Sequence, residues 1–298
     1  RDLVSYRRFA EVSNRVERLA GWNLVPGDEY NAVVFLDEGY LLTPMPKRSP
    51  EGNILALAGF KDYLDTLDIP LLYVQVPSKL SGKEAGISDV IDFSNANADA
   101  LLAGLKERGI SCLDLREAIT AQGLDHRDLY YRTDHHWKAE TGLWAAGVIS
   151  GYLNDRAGFR IDPGQFEQDA YEARVYKDRL LGSQGRKVTL SRAAPEDFTL
   201  LYPRFRTDLS LTIRNRGIDT RGGFDIIYDL KPLAEEDVYN ANLYTAYLHD
   251  DNALTQLRNH LTSDKKKVLL IGESNDNVIV PFLATGLAWV DSVDLRHF

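Results

Sequence analysis

Three short runs that are apolar at almost every position constrain this chain most. They are residues 69–79 (IPLLYVQVPSK), 110–115 (ISCLDL) and 268–272 (VLLIG). Continuous apolarity suits strands covered on both faces, as in a parallel sheet, rather than strands with every second residue in water. Before the first run, Ile54, Leu55, Leu57, Ala58, Tyr63 and Leu64 recur at helical spacing. Between the first and second, NANADALLAGLKERG (residues 95–109) reads as a helix ending at Gly109. Helix, strand, helix, strand with short joints predicts an α/β fold with a parallel sheet. Residues 31–43 (NAVVFLDEGYLLT) read as a hairpin about an Asp-Glu-Gly turn. Residues 140–154 and the VIVPFLATGLAW stretch read as further helices, and residues 290–298 as a last strand.

From about residue 155 the pattern changes. Residues 159–192 are polar and turn-rich without helical period, whereas DFTLLYP, DLSLTIRN and GFDIIYDL look like short strands between turns. Residues 155–262 therefore read as a mixed, β-rich insertion within one domain spanning residues 1–298. With 44% hydrophobic residues the chain has ample material for a core, and its net charge of -9 argues against nucleic acid as a partner. No apolar run reaches membrane-span length. The chain begins at Arg1 rather than Met, so an export or anchor segment is expected to have been trimmed. The single cysteine, Cys112, reads as a buried structural thiol.

Two segments carry chemistry. TDHHW (residues 133–137) follows the second strand and opens onto a helix, and it holds two of the six histidines. VLLIGESND (residues 268–276) ends a strand with Gly272 at a tight turn and Ser274 just beyond. Open α/β sheets place ligand sites at the carboxyl ends of their strands. A helix starting there would aim N–H groups at an anion. An activated serine needs an exposed hydroxyl, nearby oxyanion donors, a histidine to take its proton and an acid to orient that histidine. Each segment also has a plainer reading: Gly-x-Ser as a turn with a helix cap, Asp-His as solvated surface. Their joint placement at strand ends favours chemistry. A metal site from His135, His136 and Glu140 is disfavoured, because adjacent side chains diverge and no second His-Glu pair completes it.

TDHHW resembles the defining motif of the DHHW proteins, relatives of the alginate O-acetyltransferases in the SGNH hydrolase superfamily. PLLYVQVPSK, NANADALLAGLKERGISCLDLRE, DLYYRTDHHW, Gly272-Glu273-Ser274, NVIVPFLATGL and VDLRHF match in the same order. The resemblance implies an SGNH-like, flavodoxin-like three-layer sandwich in circularly permuted order, with Asp and His first and Ser last. It implies Ser274 as nucleophile, His136 as general base and Asp134 as orienter. His135 is less suited as base, since the alginate relatives lack a histidine there. Trp137 is expected to pack the loop onto the core. The backbone N–H groups of Ser274 and Asn275 are the oxyanion candidates, and His135, Arg296, Ser183 and Arg186 (the last two in the GSQGR turn) are candidates for the rim.

The sequence departs from the family at Glu273, Asn275 and Asp276. Asp276 would oppose an oxyanion unless it turns away. SGNH relatives continue past VDLRHF with a helix and another strand.

The resulting expectation is serine-dependent O-acetyl transfer or ester hydrolysis on a cell-surface carbohydrate, with no cofactor or metal. The setting is extracytoplasmic, with a membrane O-acyltransferase as a candidate acetyl supplier. The alternative is an inactive polysaccharide-binding or scaffold module of an acetylation assembly.

Overall fold

The structure is a computed structural model that describes residues 3–19, 24–25, 32–82, 85–87 and 90–297. Asn31, in the expected hairpin, and Phe298, in the expected last strand, lie outside these. The chain forms two compact units, residues 1–128 with 187–193 and residues 129–186 with 194–298.

The first unit starts with α1 (Leu3–Leu19) and the antiparallel strands β1 (Leu24–Val25), β2 (Val33–Phe35) and β3 (Leu41–Leu42). The expected hairpin is β2–β3, with Val34 opposite Leu42. Next come α2 (Glu51–Asp65), β4 (Leu72–Gln75), β5 (Ala85–Ile87), β6 (Val90–Asp92), α3 (Ser94–Glu107), β7 (Ser111–Asp114) and α4 (Leu115–Gln122). β4 and β7 pair in parallel, from Leu72 opposite Ser111 to Gln75 opposite Asp114. The strand's last residue starts the next helix: the Asp114 carboxylate accepts the Arg116 N–H at 3.0 Å and caps α4. One expectation is corrected here. These two strands form a sheet of their own, and most of their residues are half-buried rather than covered on both faces. Cys112 is likewise half-buried.

The second unit contains α5 (Ala139–Ala157), β8 (Tyr171–Leu180), most of α6 (Ser183–Val188), β9 (Glu196–Pro203), β10 (Leu209–Ile213), β11 (Ile218–Gly222), β12 (Leu254–Asn259), β13 (Lys267–Gly272), α7 (Val280–Gly286) and β14 (Trp289–Asp294). β8 and β9 make an antiparallel ribbon. The remaining strands form one sheet in the order β11-β10-β12-β14-β13, antiparallel except for the parallel pair β13–β14. Strands from residues 209–259 thus continue the sheet that carries Ser274. Its inner face buries Leu209, Leu211, Ile213, Leu257 and Val290, and α7 packs against β12 and β14. α5 lies on α7 and on the segment after Ser274. That approach requires Gly142, where a Cβ would strike the Val278 carbonyl.

Several local readings change. GFDIIYDL is not a strand: residues Phe224–Ile227 form a 3-10 turn, and the strand is the preceding β11. The ten-residue β8 lies inside the stretch read as turn-rich. It is mostly exposed, so it shows no apolar alternation, and its partner β9 supplies the buried Phe198 and Leu200. Within GSQGR, residues 183–186 are the first part of helix α6 rather than a turn. TDHHW is loop, and its helix begins at Ala139. No helix among the described residues is long and apolar enough to cross a membrane.

Candidate active site

The TDHHW loop closes on itself. Tyr130 and Trp137 form an isolated antiparallel bridge, the Tyr131 N–H donates to the His136 carbonyl, and the Lys138 N–H donates to the Leu129 carbonyl. Trp137 is fully buried, edge-on to the Tyr130 ring at 6.2 Å, and serves as the loop's anchor in the core. A second anchor was not legible in the sequence. The buried Glu196 of β9 accepts the N–H of Arg132 at 2.8 Å and both the N–H and the hydroxyl of Thr133, at 2.7 and 2.6 Å.

Held this way, the loop buries Asp134. Its carboxylate accepts the His136 backbone N–H at 3.0 Å, the Ser183 N–H at 2.5 Å and the His136 Nδ1 at 2.5 Å. Burial by itself would raise this acid. The hydrogen bond and charge of His136, the charge of His135 and the Ser183 N–H outweigh it and hold the carboxyl well below the usual range. The other ring nitrogen of His136, Nε2, lies 2.8 Å from Ser274 Oγ. With Nδ1 facing a carboxylate, Nε2 is the nitrogen left to accept from the serine hydroxyl. Asp134, His136 and Ser274 therefore form one continuous hydrogen-bonded line.

The His135 ring lies tilted against His136, with centroids 3.8 Å and planes 38° apart, and the Tyr244 ring stacks on His136 at 3.8 Å and 14°. The adjacent imidazoles converge on Asp134 instead of diverging, because their Nδ1 atoms both face its Oδ1. Tyr244, also missed in the sequence, donates its hydroxyl to the Ser274 carbonyl at 3.2 Å. It thus braces imidazole and serine segment together.

Ser274 follows β13 and opens a 3-10 turn, Ser274–Val278. The first N–H groups of such a turn have no partner within it, and in this turn they are those of Ser274 and Asn275. Gly272 is needed for close approach, since a Cβ there would overlap the Asp276 carboxylate. Asp276 turns back from the serine and accepts the Glu273 N–H at 3.1 Å in a capping box. Burial pushes it up to about 7. The charges of Glu273 and Asp294 add to this, and the Glu273 N–H and Arg296 oppose it. The Asn275 amide donates to Glu273 Oε1 at 3.2 Å.

The rim candidates separate. Ser183 is at the site, with its hydroxyl 3.0 Å from His135 Nδ1. Arg296 is engaged by Asp294 and by Asp251, the latter at 3.0 Å. Arg186 donates to the Leu181 and Ala241 carbonyls and does not join the line. Among the described residues, two groups offer ligand atoms close enough for a metal, Asp134–His135–His136 and Asp251–Asp294–His297. In the first these atoms already bond to one another and to the two serines. In the second Arg296 neutralises the carboxylates. Glu140 belongs to neither.

The fold is that of an SGNH hydrolase-like domain. Residues 34–203, more than half of the chain, match the family described as "SGNH hydrolase-like domain, acetyltransferase AlgX", and the chain belongs to that family. Comparison with curated proteins returns no match. Among solved structures, PatB1 of Bacillus cereus is similar at 21% identity, with a TM-score of 0.69 over 89% of this chain and 88% of that one. A DHHW family protein from Eubacterium siraeum is similar at 16% identity, with a TM-score of 0.63 over 92% and 86%. The resemblance carried by TDHHW is thereby borne out.

Proposed function

We propose that the chain transfers O-acetyl groups on a polysaccharide through Ser274, His136 and Asp134. The observation that carries this reading is the His136 ring bonded to Asp134 at 2.5 Å and to Ser274 at 2.8 Å. Ser274 Oγ attacks the carbonyl carbon of an acetyl ester while its proton passes to His136 Nε2. The Ser274 and Asn275 N–H groups hold the oxyanion. The intermediate collapses to an acetyl-serine, and the departing alcohol takes the proton from His136. A sugar hydroxyl then gives its proton to His136 and attacks the acetyl carbon, and His136 passes that proton to the departing Ser274 Oγ, which restores the serine and leaves an acetylated sugar. If water replaces the sugar hydroxyl, the same steps release acetate. Asp134 keeps the imidazole in the right tautomer and stabilises its charged form. Family membership supports acetyl as the group transferred. We place the reaction on a cell-surface polysaccharide outside the cytoplasm, with a membrane O-acyltransferase supplying the acetyl group.

Ser274→Ala tests this. Turnover of an aryl acetate is expected to fall by at least about a thousandfold. An unchanged rate would overturn the reading and leave the inactive-module alternative in its place.

A further inference from the structure

Strand register writes the outer face of the five-stranded sheet. On β10, Leu209, Leu211 and Ile213 point into the core, so Ser210 and Thr212 point away from it. Ser210 lies opposite Arg258 and Thr212 opposite Gln256 on β12; these in turn lie opposite Trp289 and Asp291 on β14. Two adjoining rows result, Ser210–Arg258–Trp289 and Thr212–Gln256–Asp291. All of these but Asp291 border, with Arg214 and Asp219, an open trough of about 610 Å³, a volume in the usual ligand-site range.

Its floor is fixed. The Trp289 indole N–H donates to Asp291 at 2.6 Å, and the Arg258 guanidinium and Lys267 ammonium lie 4.4 and 4.6 Å from the ring centre. Arg258, which lines the trough, is held by the aromatic ring and leaves its charge to the trough, whereas Lys267 lies against the same ring outside the lining. The one carboxylate of the lining, Asp219, accepts the Thr212 hydroxyl at 3.2 Å. Cations gathered on one concave surface attract an anion, and guanidinium groups match carboxylates bidentately. In a chain of net charge -9, a polyanion is repelled elsewhere and can dock where cations collect.

We infer that this trough binds an anionic glycan, with its carboxylates on Arg214 and Arg258 and its hydroxyls on Ser210, Thr212 and Gln256. Ser274 lies beyond Gly272, which pairs with Asp294, five residues along β14 from Trp289. The strand rise makes that separation about 17 Å. The trough therefore holds the polymer without occupying the nucleophile. That use of the bound chain rests on the polysaccharide reading above; the binding itself does not.

The test is retardation in native gels containing polygalacturonate or neutral dextran, with aryl acetate turnover measured on the same preparations. The protein and its Ser274→Ala variant should both be retarded by polygalacturonate and not by dextran, and added salt should weaken the retardation. Arg214→Ala/Arg258→Ala should lose about tenfold or more in affinity with turnover unchanged. Equal retardation by dextran, salt-independent retardation, or a fully retarded double variant overturns the trough. The salt readout needs no variant, so it decides even if the double variant fails to fold. Loss of the Ser274 effect on turnover would sink the catalytic reading and leave the trough standing.

Discussion

Asp134, two residues before His136, and Asp276, two residues after Ser274, are carried by turns that meet at one site, yet their surroundings drive them in opposite directions. Asp134 faces donors: two backbone N–H groups and an imidazole, with a second imidazole close by. Asp276 faces a single N–H and lies near two other acids, with Arg296 the opposing charge. Burial penalises both carboxylates. The donors decide which one stays ionised. The contrast suits the proposed chemistry, which needs a fixed negative charge behind the imidazole and little negative charge beside the developing oxyanion.

The comparison breaks most sharply at Asp134. Asp134→Asn keeps the shape but lets the amide favour the wrong imidazole tautomer, so kcat on an aryl acetate should fall by about 10³–10⁴. Retention of near-wild-type turnover would remove Asp134 from its role. Removing the loop's other anchor comes next. Glu196→Ala leaves three donors without their acceptor, and urea unfolding should show a loss of about 3 kcal/mol or more. At Asp276 the sign reverses. Its folded-state value is raised, so its contribution to stability is full below the unfolded value near 4 and is lost as pH rises through about 7. Between pH 5 and pH 8, Asp276→Asn should gain on the parent by on the order of 2 kcal/mol in thermal unfolding. Parallel stability curves would show that Asp276 does not titrate in this range. Asp134 obeys the opposite rule, stabilising above the ordinary carboxylate value and losing that contribution only as pH falls through its lowered one. The smallest effect is expected from Tyr244→Phe. It deletes one neutral hydrogen bond but keeps the ring on His136, so stability should drop by about 1 kcal/mol and turnover by less than about tenfold.

The elements legible in the sequence are those with strong local patterns. α2, α3 and α5 show helical spacing, and β4, β7 and β13 show short apolar runs between turns. β8 was hidden because most of its side chains face water, and its strand state comes from pairing with β9. The 3-10 turn at Phe224–Ile227 has the apolar look of a strand, but its Phe224 and Ile227 are buried by tertiary packing rather than by a strand face. The site divides similarly. Asp134, His136 and Ser274 stand in short, recognisable segments. Glu196 and Tyr244 stand in stretches with no motif and act only through what folding brings against them.

The amino-acid order by itself determined the chemical groups and the two motifs that carry them, because neighbours in the chain set turns, caps and periodicity. Tertiary structure alone decided that a histidine and a serine 138 residues apart come within 2.8 Å. It also decided which of two nearby aspartates keeps its charge. Both outcomes depend on partners and burial contributed by distant segments, and no local pattern encodes those.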